Sequence, residues 1–201
     1  MHVAVHVGSG DDEKAWHLPE KLLKSQSTFF TAALVGSFAE GISKSITLPE
    51  DNPDIFKYFV EWLYVGGDRF AAFDSSSLVC LWILGDRLGC PVMQDDAMCD
   101  LIKHHGYFQI SEVTLNRIYE GSAPGSKLRQ FAVDQCLLDV RYSAPRHKSY
   151  SRFVKDNEDF AQQLAEATIF LGREEPKNPY NDKSRYLCAP SSGQPPPKSG
   201  S

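Results

Sequence analysis

The sequence predicts an α+β fold: a small three-stranded sheet with about five helices, followed by a helical extension. Three observations predict it. Val3, Val5 and Val7 alternate with His2, Ala4 and His6, the period of two that marks a half-buried strand. From His17 to Gly66 apolar residues recur at helical spacing and are cut into short pieces by Pro19, Gly36 and Asp51-Asn52-Pro53. Between those pieces, Ile46 and Leu48 form a very short strand that stops at Pro49.

Taken in order, the opening strand turns at GSGDD and returns from Glu13 to Leu18 as the second arm of a hairpin. Pro19 suits the first turn of a helix, where a missing N–H costs nothing, and Leu22 and Leu23 continue it. Ser27 can cap a second helix carrying Phe29, Phe30, Ala33 and Leu34, which Gly36 ends. A third helix starts at the Asn52 cap and Pro53 and carries Ile55, Phe56, Phe59, Val60 and Leu63 inward. Asp74 and Ser75 to Ser77 offer caps for a fourth, with Leu78, Leu81, Trp82, Leu84 and Leu88 on one stripe before Gly89. Pro91 opens a fifth through Met98, Leu101 and Ile102 to Gly106. Phe29, Phe30, Leu34, Phe59, Leu63, Leu81 and Leu84 are the expected central core.

The extension, residues 106–172, holds an amphipathic run over Ser111–Tyr119, a helix capped by Ser126 with Leu128, Phe131, Ala132 and Gln135 aligned, and a last helix from Asn157 to Gly172. The basic, tyrosine-flanked stretch from Arg141 to Arg152 reads as a solvated linker between helices. From residue 173 to 201, Pro176, Pro179, Pro190 and Pro195 to Pro197 among Ser and Gly predict a disordered tail of polyproline II character.

The order HLPEKLLKSQSTFFTAAL, FAEG, ITLPED and FKYFVEWLYVGG resembles the BTB/POZ domain, most closely the form common in filamentous fungi. The resemblance covers residues 1–105 and runs more loosely to Cys136. It implies a protein–protein interaction module with no cofactor, no metal and no catalytic residues. Its partners would be proteins: a second copy in a homodimer, other chains, or a cullin scaffold of a ubiquitin ligase to which a client is recruited. In BTB adaptors a hydrophobic residue, any residue and then Glu after the second helix helps to hold the cullin, and Phe38 and Glu40 match that pattern. The structural alternative is that Phe38 completes the domain's own core while Glu40 is a solvated charge. The family also pairs an Asp at the start of the first strand with a His before the first helix. His17 matches the His, but Met1 stands where the Asp would be, and strand-exchanged dimerisation depends on that region.

Bulk properties bound the alternatives. A net charge of -5 gives no broad attraction to phosphate backbones, so nucleic acid is not an expected partner. No apolar run reaches membrane-spanning length, and the N-terminus lacks a signal-peptide pattern, so an intracellular protein of the cytoplasm or nucleus is expected. The five cysteines have no CxxC spacing and read as free thiols of a reducing compartment. His104-His105 reads as a cationic helix end, because adjacent helical residues diverge by about 100° and make a poor ligand pair. Gly8-Ser9-Gly10 lacks the third glycine of a dinucleotide loop, since Glu13 stands there, and no GxSxG or HExxH occurs. Two other readings stand beside the adaptor: a transcription-linked or structural oligomeriser that binds no cullin, and a small intracellular enzyme or ligand-binding protein.

Overall fold

The computed structural model describes residues 1–35, 42–67, 70, 73–105, 110–142, 147–172 and 174–188, with backbone alone for 147–149. It is an α+β protein. Strands β1 (His2–Val7), β2 (Lys14–Pro19) and β3 (Ser45–Leu48) form one sheet in the order β2-β1-β3. The hairpin pairs β1 antiparallel to β2 with Val5 opposite Trp16, while β3 joins the other edge of β1 in parallel with Ile46 beside Val5. A parallel pair needs a crossover, and the chain between β2 and β3 supplies it with the helices α1 (Glu20–Gln26) and α2 (Thr28–Ala33). Val3, Val5 and Val7 are fully buried on one sheet face, as their alternation predicts.

Against that face packs α3 (Pro53–Val65), whose start is set as expected: the Asn52 side chain accepts hydrogen bonds from Asp54 N and Ile55 N, with Pro53 next. Its rings make the centre of the core. Phe56 lies 5.0 Å from Trp16 of β2, and Phe59 is flanked by Phe56, Phe30 and Trp62 at 5.2, 6.2 and 6.2 Å between ring centroids. Helices α4 (Ser75–Arg87) and α5 (Pro91–His105) complete this half. Asp74 is the residue that caps α4, accepting from Ser77 N at 2.9 Å, and this bond holds its carboxyl below the usual range.

Of the seven expected core residues six are buried; Phe29 is only partly so, because it stands on the flank of α2 with its edge toward Phe30. Pro19 is paired in β2 and precedes α1 as its cap residue, one step earlier than the sequence suggests. His17 is exposed and faces Ala4 across the ladder, while the carbonyl of Met1 accepts from Glu20 N at 3.1 Å. The histidine therefore has no ladder relation to Met1.

Among the described residues the extension contains four helices: α6 (Glu112–Gly121), α7 (Lys127–Tyr142), α8 (His147–Asp156) and α9 (Glu158–Leu171). The buried core runs into it without a break, through Ile110, Leu115, Ile118, Phe131, Phe153 and Phe160. Two expectations are corrected. Much of the stretch read as a linker is helix α8, and its Tyr150 is 3% exposed, donating to Asp139 at 2.5 Å. Residues 174–188, read as the start of a disordered tail, lie against the protein and include a short 3-10 turn, Lys183–Tyr186. Tyr186 is fully buried beside Phe131, donates to Asp134 at 2.8 Å, and burial first, then Asp134, raises its hydroxyl well above the usual tyrosine range. The remainder of that predicted tail, 189–201, lies outside the described residues.

Candidate association surfaces

The two residues singled out by the sequence, Phe38 and Glu40, lie outside the described residues, as does Gly36. What surrounds them in the chain is described. The C-terminal end of α2 leads to Val35, which is 53% exposed, and the chain resumes at Ile42, 75% exposed, before Lys44 turns through φ 53 into β3. Two large apolar side chains thus stand in solvent on either side of residues 36–41.

Val35 also borders a groove of about 520 Å3 between the α1–α2 corner and the start of α5, with Thr28, Thr31 and Ala32 on one wall and Val92 on the other. The sequence builds this corner through one serine and one glycine. Ser27 Oγ accepts from Phe30 N at 3.0 Å, capping α2, and donates to Leu88 O at 2.5 Å, so a single buried hydroxyl ties α2 to the end of α4. Thr28 N and Phe29 N then donate to the carbonyls of Gly89 and Leu88. Gly89 sits at φ 59, and a Cβ built there would lie 2.0 Å from Thr28 Oγ1. A side chain there would have to displace the Thr28 hydroxyl, and the left-handed backbone itself favours glycine. Beside the corner, Glu20 bonds Lys24 and Lys44 at 3.1 and 3.2 Å, and these ammonium groups lower its carboxyl pKa.

A second concavity, of about 680 Å3, lies in the extension between α7 and α9. Its mouth is framed by Arg129, a buried cation whose guanidinium donates to Asp159, Tyr119 O and Ser122 O at 3.1, 2.7 and 2.7 Å. Those two carbonyls end α6, so Arg129 serves as that helix's C-terminal cap. Phe170, at the far end of the same concavity, is 87% exposed.

Chemistry-bearing residues are used structurally. Ser75 Oγ lies 3.0 Å from His104 Nδ1 and joins the first turn of α4 to the last turn of α5. His105, expected as part of a cationic helix end, is a buried ring 6.0 Å from Phe131. Burial pushes the Cys90 and Cys136 thiols up to about 12, so both are protonated at neutral pH. Among the described residues no group of three or more His, Cys, Asp or Glu is arranged to hold a metal ion, and no helix is long and apolar enough to cross a membrane.

Sequence reasoning missed Arg129, Tyr150 and Tyr186 as anchors. Signals existed for Arg129, an arginine on the apolar side of a helix that otherwise reads Leu128, Phe131, Ala132, and for Tyr150, which Phe153 and Val154 follow at helical spacing. Compared with known proteins, the chain matches no family model and no curated protein.

Proposed function

We propose that this chain is a protein–protein association module of the BTB/POZ type, forming homo- or hetero-oligomers and recruiting a client to a cullin ubiquitin ligase scaffold through Phe38 and Glu40. The observation that carries the reading is the element order: a hairpin, a helical pair ending in exposed apolar residues, a short strand returning parallel to β1, and then three core helices. That is the order in which the recognised motifs occur along the chain. Exposed Val35 and Ile42 support an interface at this corner, because large apolar side chains standing in solvent so near one another in the chain gain by being covered. The groove beside Val35 supplies a concave face next to it.

The test is a calorimetric titration of the whole chain with a cullin N-terminal region, alongside light scattering over a range of protein concentrations. Phe38→Ala should weaken binding about thirtyfold, the effect of losing an anchor worth roughly 2 kcal/mol, and Glu40→Ala less. Unchanged binding in Phe38→Ala with an unchanged melting curve removes the triplet from the interface. Failure of the wild type to bind removes the adaptor role, and a monomer at all concentrations removes the homodimer.

A further inference from the structure

The concavity in the extension is a trough, and its walls have a regular composition. On α7, Gln130, Val133 and Leu137 follow one another at intervals of three and four; on α9, Gln163, Glu166 and Phe170 do the same. Residues so spaced form one stripe of a helix. With Ser126 and Asp159 at the mouth and Leu137 and Phe170 at the far end, the trough spans about three helical turns, roughly 16 Å. It changes character along its length, from the Arg129–Asp159 ion pair with amide and hydroxyl groups at the mouth to aliphatic and aromatic groups at the far end.

Helix α9 is poorly covered for its length. Phe160 is its one fully buried residue among 14, and Ile169 and Phe170 in its last turn are 77% and 87% exposed. A helix with an apolar stripe gains stability by laying it against a neighbour. The charges indicate which neighbour. Among the described lining residues Arg129 is compensated by Asp159 and Arg185 by Asp134, which leaves Glu166 and Glu174 beside one described cation, Lys177. A copy of α9 does not complement this rim, because that helix carries Glu158, Asp159 and Glu166 and no basic residue.

We infer that the trough between α7 and α9 receives an amphipathic helix of about three turns from another protein, its apolar stripe on Val133, Leu137 and Phe170 and its flanking Lys or Arg residues beside Glu166 and Glu174. Two surrounding helices and a third laid in the groove between them make the ordinary packing of a helical layer. This site is remote in sequence from Phe38 and Glu40, and the inference does not depend on the BTB-type reading.

The test uses two synthetic amidated 14-residue peptides with the same leucine stripe, one flanked by lysines and the other by glutamates, titrated into the whole chain by fluorescence anisotropy. The lysine peptide should bind and gain helical circular dichroism, and the glutamate peptide should bind about tenfold more weakly or worse. Phe170→Asp, at a solvent-exposed position, should lower the affinity about tenfold while the melting curve holds. Replacing Glu166 and Glu174 together by Lys should reverse the preference between peptides, an outcome that a structural role of these residues does not produce. Phe38→Ala should leave peptide binding unchanged. Equal affinities for the two peptides, no binding of either, or indifference to Phe170→Asp each overturn the inference. So does a wild-type dimer that Phe170→Asp converts to monomer, since the trough would then be filled by a second copy.

Discussion

In residues 1–105 the interior is a run of rings in direct contact, Trp16, Phe56, Phe59, Phe30 and Trp62, closed by aliphatic side chains from three strands. Residues 110–188 are built differently. Phe153, Phe160 and Tyr119 form a smaller aromatic nucleus, and around it buried polar groups hold the helices together: Arg129 caps α6, Asp139 takes the Tyr150 hydroxyl, and Asp134 takes Tyr186. The contrast is sharpest between α4 and α9, which have 13 and 14 residues but bury seven and one, whereas α7 buries eight of 16 and forms the inner wall of the second region. Non-directional apolar burial tolerates small displacements; a hydrogen bond from a buried phenol to a carboxylate does not. The first half therefore behaves as a scaffold, and the second as a set of helices pinned at a few points, with surface left for a partner.

The largest expected effect tests the scaffold. Phe59→Ala removes the ring that touches three others and should cost about 3–5 kcal/mol, enough to lower the denaturant midpoint severely. A variant as stable as wild type would mean that α3 is not the centre of the core.

Next comes the pinning. Tyr186→Ala should cost about 3 kcal/mol by emptying a buried aromatic site. The loss should be local: residues 174–188 become cleavable by protease and exchange their amides quickly, while strands β1 and β3 keep their protection. Equal loosening of both regions would abolish the distinction drawn above.

A pH experiment separates the halves without mutation. Burial raises the pKa of three phenols and two thiols in residues 110–188, Tyr119, Tyr150, Tyr186, Cys136 and Cys188, against two thiols, Cys90 and Cys99, in residues 1–105. For an acid whose folded pKa is raised, the stabilisation is complete below its unfolded pKa and is lost as pH climbs through the folded value. That window opens at about pH 8.5 for thiols and about 10 for phenols, at roughly 1.4 kcal/mol per unit of pKa difference. Residues 110–188, which hold the phenols, should open first on alkaline titration. All three tryptophans, Trp16, Trp62 and Trp82, lie in residues 1–105, so protease cleavage within residues 110–188 should begin before tryptophan emission shifts. The reverse order would contradict the assignment.

The smallest effect probes the seam within the scaffold. Ser27→Ala removes the cap of α2 and its bond to Leu88 O, and should cost about 1–2 kcal/mol, read as a modest fall in Tm with the fold retained.

Much of the first half was legible because its determinants are local. The Val3-Val5-Val7 alternation, the Ser27 cap, Asn52 before Pro53 and Gly89 after α4 each specify structure within a few residues, and each is observed in the role expected. Tyr186 was not legible, since it stands in a polar, lysine-containing stretch and is buried by a partner 52 residues away, so no periodicity announces it. Tyr150 was legible but overlooked, because Phe153 and Val154 follow it at helical spacing behind a run of basic residues that drew the linker reading. Phe29 was placed too deep because helical spacing alone does not distinguish the centre of a stripe from its edge. The trough escaped notice for a related reason: both walls are helix faces of mixed polarity, and their meeting is a tertiary event. Phe38 and Glu40 rest on the sequence reading, with described apolar neighbours on either side.

The contact between Gly89 and Thr28 has an evolutionary consequence. Two separate demands fall on position 89, a left-handed backbone and the absence of a side chain, and a change at position 28 relieves only the second. Descendant sequences should therefore show one-sided epistasis. With Gly89 retained, residue 28 is free to drift among small residues and helix starters, whereas Gly89→Ala stays deleterious in every background, Thr28→Gly included. A saturation library covering both positions would display this as a nearly empty row at 89 beside a permissive column at 28.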